Sequence, residues 1–588
     1  MTGSRNPLHD RRGFTLESTL LVLTLLSFVM VAFYAGAVTT IRTTNLDYRA
    51  ARVHYATEGG TEAIMAQLHD RLRDGALTDE DLAGLEAPDL PGFQVDTFWA
   101  HKVGPIVQEV ISDGHFAGLY SLTQRMEIFT SARDATNNRS SVLIDVKAQA
   151  IPLFQFGIFF EKDLEDTNGP PMTFAGWVHA NGNIYLSSAN AWYTDRITTP
   201  NRVFHDRKDH HSVLDGVYID DAAGTDVPLL FDSRSITDAA AFRARSEADF
   251  DGRLRTGAHD VDSLRVPLPL GLSPVAVIQR RLPGDDDQTR EAKFAWQADW
   301  YLEVPLNRLS STGANLCPHS VAVRAPGKVV PNTGLCKKIF TWTFEAFWEG
   351  REGRFADVLD IDVDELRRWV GGDASRRTEI LYVTLTGTAP DSIKNNNNSN
   401  AARDGFYPVV RLINGSQLPN RLTIATDRPL YLRGNYNNVA WVPAAVTGDA
   451  ITWLSAVWDD AAHDESFETG KTIAGETWIN TAVLAGHSAT PCDHEVPPCP
   501  GGYQDFYGGG IENYPRFLEN WSDVYMHYLG SLVSLHESVI PTGTWNGTYY
   551  NPPRRDWQFD LRFRDPANLP PGTPVVGNVI HTAFRPVY

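Results

Sequence analysis

From Ser18 to Ile41 the chain runs for 24 residues without a charge, and apolar side chains fill most of those positions. An α-helix of that length is about 36 Å long, enough to cross a hydrocarbon core of roughly 30 Å. The apolar pattern then continues in sparser form. Leu46, Tyr48, Val53, Tyr55, Ile64, Leu68 and Leu72 come next in mixed three- and four-residue steps, as one stripe of an amphipathic helix would. The pattern predicts one helix over residues 14–74, apolar all round in its first half and on one side in its second, with a membrane span at 18–41. A cleaved signal peptide has a shorter apolar run. Ala35-Gly36-Ala37 resembles its cleavage site, but the helical pattern carries on beyond it.

The period changes after a connector at 75–92, which is acidic and rich in Gly, Leu and Pro. Residues 120–130 and 141–148 alternate apolar and polar positions around a turn-rich link at 134–138, which predicts a hairpin in a small sheet over 93–152. From 153 to 588 the texture is short β-rich pieces divided by Gly, Asn and Pro, as at 174–186, 422–436, 444–454 and 477–486. The fold class is therefore a long N-terminal α-helix followed by a mainly β region. Stacked coils of this kind point to a right-handed parallel β-helix, each rung covering the next. The uneven period keeps a β-sandwich as the alternative. Residues 189–345 read as an insertion on this exterior domain. Asp285-Asp286-Asp287 and the asparagines at 395–398 read as solvated loops. Residues 361–370 read as a short helix capped by Asp362 or Asp364.

Charge and cysteine content narrow the setting. The formal net charge of −20 (52 basic and 72 acidic residues) excludes nucleic-acid binding through a general positive field. Ahead of the apolar run, Arg5, Arg11 and Arg12 outnumber Asp10, so the N-terminus should stay cytoplasmic and the bulk be exported. The four cysteines form two local pairs in turn-rich loops, Cys317 with Cys336 and Cys492 with Cys499, as expected of two disulfides in an oxidising compartment. A metal alternative at Cys492 would recruit Asp493 and His494, at a spacing that fits no standard zinc pattern.

Gly13-Phe14-Thr15-Leu16-Glu17, set between a basic leader and an apolar helix, resembles the type IV pilin-like precursors. That resemblance implies a leader at 1–13, a prepilin peptidase cut between Gly13 and Phe14, methylation of the new Phe14 amine, and assembly with other pilins or pseudopilins through the retained helix. It also implies a role for Glu17, offsetting a neighbour's terminal amine in an apolar core, where a buried charge needs a partner. Here Glu17 departs from the family, standing fourth rather than fifth after the cut, and one residue turns a helical side chain by about 100°. The other reading puts Glu17 at the cytoplasmic headgroup level, favoured by the helix dipole. Residues 55–63 resemble the segment after the membrane helix of PilX-like pilus assembly proteins, and Gly59-Gly60 there predicts close packing, a bend or a helix break. The blocks at 178–183, 347–352 with Ile361 and Asp362, 422–437 and 508–521 resemble the exterior domain of large PilX-like proteins.

Together these features imply a minor pilin or pseudopilin of a type IV pilus or type II secretion-like filament. It would be single-pass in the inner membrane, exposed at the pilus or cell surface, without cofactor or catalytic role. Surface glycans or a tip adhesin are its expected outer partners. A membrane-tethered adhesin or scaffold, and a β-helix carbohydrate-active enzyme, are the alternatives. Enzyme motifs are incomplete. Gly470-Lys471-Thr472 has Glu465 where a phosphate loop needs glycine, and His536-Glu537 lacks the second histidine of a zinc-protease helix. His205, Asp206, Asp209, His210 and His211 read as a solvated polar loop rather than a metal site, and His179 as a hydrogen-bonded structural residue. Trp441, Trp453, Trp458, Trp478, Trp521, Trp545 and Trp557 read as core, or as a sugar grip should several share one face.

Overall fold

A computed structural model describes residues 12–72, 79–269, 271–309, 321–329, 331–387, 407–463, 472–500, 506–543 and 549–587. The helix α1 (Arg12–Leu72) is continuous through Gly59 and Gly60. Its second half lies across a four-stranded antiparallel sheet. In order, the sheet is β1 (Phe93–Val110), β2 (Tyr120–Asp134), β3 (Arg139–Pro152) and the last strand of the chain, Val575–Val587. The expected hairpin is β2 and β3. Asn137 takes a left-handed conformation at its turn (φ 65°). The fourth strand comes from the far end of the chain.

The face of α1 that meets this sheet is made by Val53, Thr57, Gly60, Thr61, Ile64 and Leu68. In the core beneath it, Ile64 and Leu68 pack with Met126, Ile128, Val142, Ile144 and Val146. This corrects the apolar stripe expected from the sequence. Leu46, Tyr48 and Tyr55 point outward, 58%, 61% and 69% exposed, and the side chain of Leu72 lies outside the described residues. At 100° per residue, 53, 57, 60, 61, 64 and 68 share one face, and two threonines sit on it. Their burial costs little because each hydroxyl donates to the carbonyl four residues back, Thr57 to Val53 and Thr61 to Thr57, at 2.8 Å. Gly60 brings the backbone close: a Cβ there would lie 3.2 Å from Leu90 Cδ1 and 3.4 Å from Thr130 Cγ2.

The remainder is a β region of several sheets. In the largest, eleven strands line up as 254–255, 197–198, 178–180, 158–160, 532–537, 482–487, 444–448, 422–425, 380–386, 300–305 and 321–324. All neighbours are parallel except the last pair, which differs from an antiparallel sandwich. A second, six-stranded sheet takes 408–413, 430–433, 451–454 and 515–517, each parallel to the next. The chain thus alternates between sheets, passing from 422–425 to 430–433 to 444–448 to 451–454. Between them lies one apolar core containing Trp300, Trp342, Trp453 and Trp521.

The order of strands in the large sheet is permuted relative to the sequence. The first strand of the region, 158–160, pairs with 532–537, so early and late segments adjoin in mid-sheet. From there the chain winds outward to 254–255, crosses to the other end at 300–305, and winds back. Strands 197–198, 254–255, 300–305 and 321–324, all within 189–345, belong to this same sheet. Asp285 departs from expectation: it is buried against Lys293 at 2.5 Å and accepts from Trp296 at 2.8 Å, because Lys293 is itself buried and needs the charge. The helix Val363–Val370 is capped as expected by Asp362, whose carboxylate accepts from Glu365 N at 2.9 Å. The asparagines at 395–398 lie outside the described residues.

Entry and exit of this region are neighbours. Pro152, where β3 ends, pairs with Val575, where the last strand begins. The whole body over 153–574 is therefore inserted between two adjacent strands of the small sheet.

Candidate functional site

The first half of α1 stands clear of the rest of the molecule. Leu16, Leu20, Leu21, Leu23, Phe28 and Phe33 are each between 62% and 77% exposed. The segment is long and apolar enough to cross a membrane. Its hydroxyls do not compromise that. Thr24 donates to Leu20 O at 2.7 Å, Ser27 to Leu23 O at 2.8 Å, and Thr39 and Thr40 to Ala35 O and Gly36 O at 2.8 and 3.0 Å. Each of these hydroxyls is satisfied inside the helix, which an apolar surrounding requires. Glu17 is exposed at the start of this segment and has no ion-pair partner among the described residues. Gly13 and Phe14 fall within α1, but their side chains, like residues 1–11, lie outside the described residues. The candidate assembly surface is therefore an apolar rod with one carboxylate near its tip.

On the body, polar loops distant in the sequence are drawn together. The loop at 205–214 follows strand Val203–Phe204 and is not solvated as expected, since His205, Asp206 and Asp209 are buried. The reason is a second loop laid against it, the one closed by the Cys492–Cys499 disulfide (Cα–Cα 5.2 Å). His494 donates its backbone N–H to Lys208 O at 3.0 Å, and its Nδ1 lies 2.7 Å from the same oxygen. Phe506 N donates to Asp209 Oδ2 at 2.9 Å, and Tyr185 Oη to Asp493 Oδ2 at 2.6 Å. Arg234, which the sequence did not single out, joins both loops. It donates Nε–H to Glu495 at 2.8 Å, contacts Asp206, and reaches His494 Nε2 at 3.0 Å. Nothing in local spacing announces this, because Arg234 and His494 are far apart in the chain. Cys336 is disulfide-bonded, and Cys317, its expected partner, lies outside the described residues.

The remaining candidates are structural. His179 is buried between Thr198 Oγ1 at 2.8 Å and Asn181 Oδ1 at 3.0 Å, and desolvation pushes it down to about 4. Trp453, Trp458, Trp521 and Trp557 are buried, Trp441 is half-buried, and Trp545 lies outside the described residues. Trp478 is 37% exposed, stacked on His527 at 4.7 Å. The described tryptophans do not assemble into one open face.

The chain is similar to a pilin. The competence-associated pilin ComZ from Thermus thermophilus matches over 92% of this chain and 98% of that one, at 12% identity and a TM-score of 0.26. No family model and no curated protein matches. So loose a superposition carries no argument by itself. What the structure itself adds is a long helix, bare in its first half and laid on an antiparallel sheet in its second.

Proposed function

We propose that this chain is a minor pilin or pseudopilin-like filament component that assembles through α1 and displays the body over 153–574 outside. The observation that carries the reading is the division of α1: one continuous helix, apolar and uncovered over its first half, packed on its own sheet over the second. A helix that served only as the core of its own domain would be covered along its length. Prepilin peptidase would cut after Gly13, and Glu17 would meet the amine of a neighbouring subunit. The parallel ladders support reading the body as a β-helix, with each pass of chain adding a rung.

Mass measurement of the mature N-terminus in protein from the native host tests the proposal. It should begin at a methylated Phe14. An N-terminus after Ala37, or an intact leader, would overturn it.

A further inference from the structure

Asp206, His211 and His494 each present one ligand atom, and the three lie within 4.8 Å of one another. His211 Nδ1 stands 3.3 Å from Asp206 Oδ2, and His494 Nε2 3.9 Å from the same oxygen. Ligand atoms around a tetrahedral zinc, bound at about 2.0–2.1 Å, are about 3.4 Å apart. The set is therefore close to a ligating geometry before any ion arrives.

Two further observations point the same way. The carbonyl of Lys208 can only accept, so the 2.7 Å contact from His494 Nδ1 puts the proton there. The lone pair is then on Nε2, which faces Asp206. Metal-binding imidazoles are oriented in this way by a hydrogen bond from the other ring nitrogen. The side chain of Asp206 is 3% exposed, yet its Oδ1 has no hydrogen-bond partner among the described residues. Its Oδ2 meets Arg234, so Oδ1 is the oxygen left open to a further cation.

Arg234 supplies part of the positive charge here, touching Asp206 and donating to His494 Nε2 at 3.0 Å. It also holds Glu495 at 2.8 Å and lies 3.8 Å from Asp232. It can thus leave the histidine without being stranded.

We infer that Asp206, His211 and His494 form a binding site for a divalent transition ion of the zinc class, with Arg234 as a built-in competitor. Two imidazoles and one carboxylate suit zinc, with water completing the shell. His211, 63% exposed, stands at the solvent side and gives the ion its way in. Because the ligands come from the loops at 205–214 and 492–499, the ion would fasten the disulfide loop to the stacked sheets.

The test uses the full chain in detergent, stripped with a chelator and titrated with zinc chloride alone. Calorimetry and metal analysis should find about one zinc per chain, and His211→Ala should weaken binding by at least about tenfold. Arg234→Gln should tighten it. Zinc should slow proteolysis within 492–499 in the wild type but not in His211→Ala. Because His211 is exposed, its variant is expected to fold, and circular dichroism checks this. Failure of the wild type to retain zinc, or wild-type affinity in His211→Ala, overturns the assignment.

Discussion

Single side chains in the body are under electrostatic tension that the sequence does not reveal. Glu512 and Asp166 are both buried, the first accepting from Tyr507 Oη and the second from Tyr193 Oη at 2.7 Å. Burial, then the charge of Asp166, pushes Glu512 up to about 8, and burial raises Asp166 to about 6. A carboxyl whose folded pKa is raised keeps a proton that the unfolded chain gives up. Its contribution to stability is therefore most favourable below the unfolded value of about 4.3, falls as pH climbs toward 8, and is level above that. Glu512→Gln, which stays neutral, should show a flatter decline in denaturation midpoint between pH 5 and 9. Tryptophan fluorescence in guanidinium at several pH values measures it, and an unchanged slope would refute the assignment. Neither residue stood out in the sequence, since their meeting depends on segments far apart in the chain. Arg234 escaped notice for the same reason, and His494, singled out only beside Cys492, carried no sign of its contact with the loop at 205–214.

Elements with a local period were legible in advance. The uncharged run and its helical continuation predict α1, and the alternation at 120–130 and 141–148 predicts β2 and β3. The buried stripe of α1 was misread because Thr57 and Thr61 belong to it and look polar on paper. The two glycines separate the roles of neighbouring positions. A Cβ on Gly59 would meet nothing within 4 Å, whereas one on Gly60 would press on Leu90 and Pro88. Gly59→Ala should raise the stability of the isolated chain by about 0.5–1 kcal/mol through helix propensity alone. Gly60→Val should lower it by about 1–3 kcal/mol through overpacking. Thermal melts of both variants followed by circular dichroism distinguish them, and equal effects would show that α1 does not pack here as described. Parallel ladders were harder to read, because Ile158 beside Leu532 leaves no trace in either neighbourhood.

At the scale of the whole molecule, the meeting of Pro152 and Val575 governs what can be removed. Replacing 153–574 with a hairpin turn of about two to five residues should leave α1 and the four-stranded sheet able to fold. The shortened chain should show a cooperative melt and retain its hairpin amides in hydrogen exchange. Loss of both would mean that the small sheet depends on the body. Ile111, Phe116 and Val576, which now pack against the body, would need polar replacements in that experiment.

Because the body leaves and rejoins the chain at one place, it behaves as cargo clipped into a slot. A different cargo whose ends lie equally close could occupy the slot without rethreading the backbone, so one segment of coding sequence is all that two chains sharing this small sheet would have to exchange to trade their bodies.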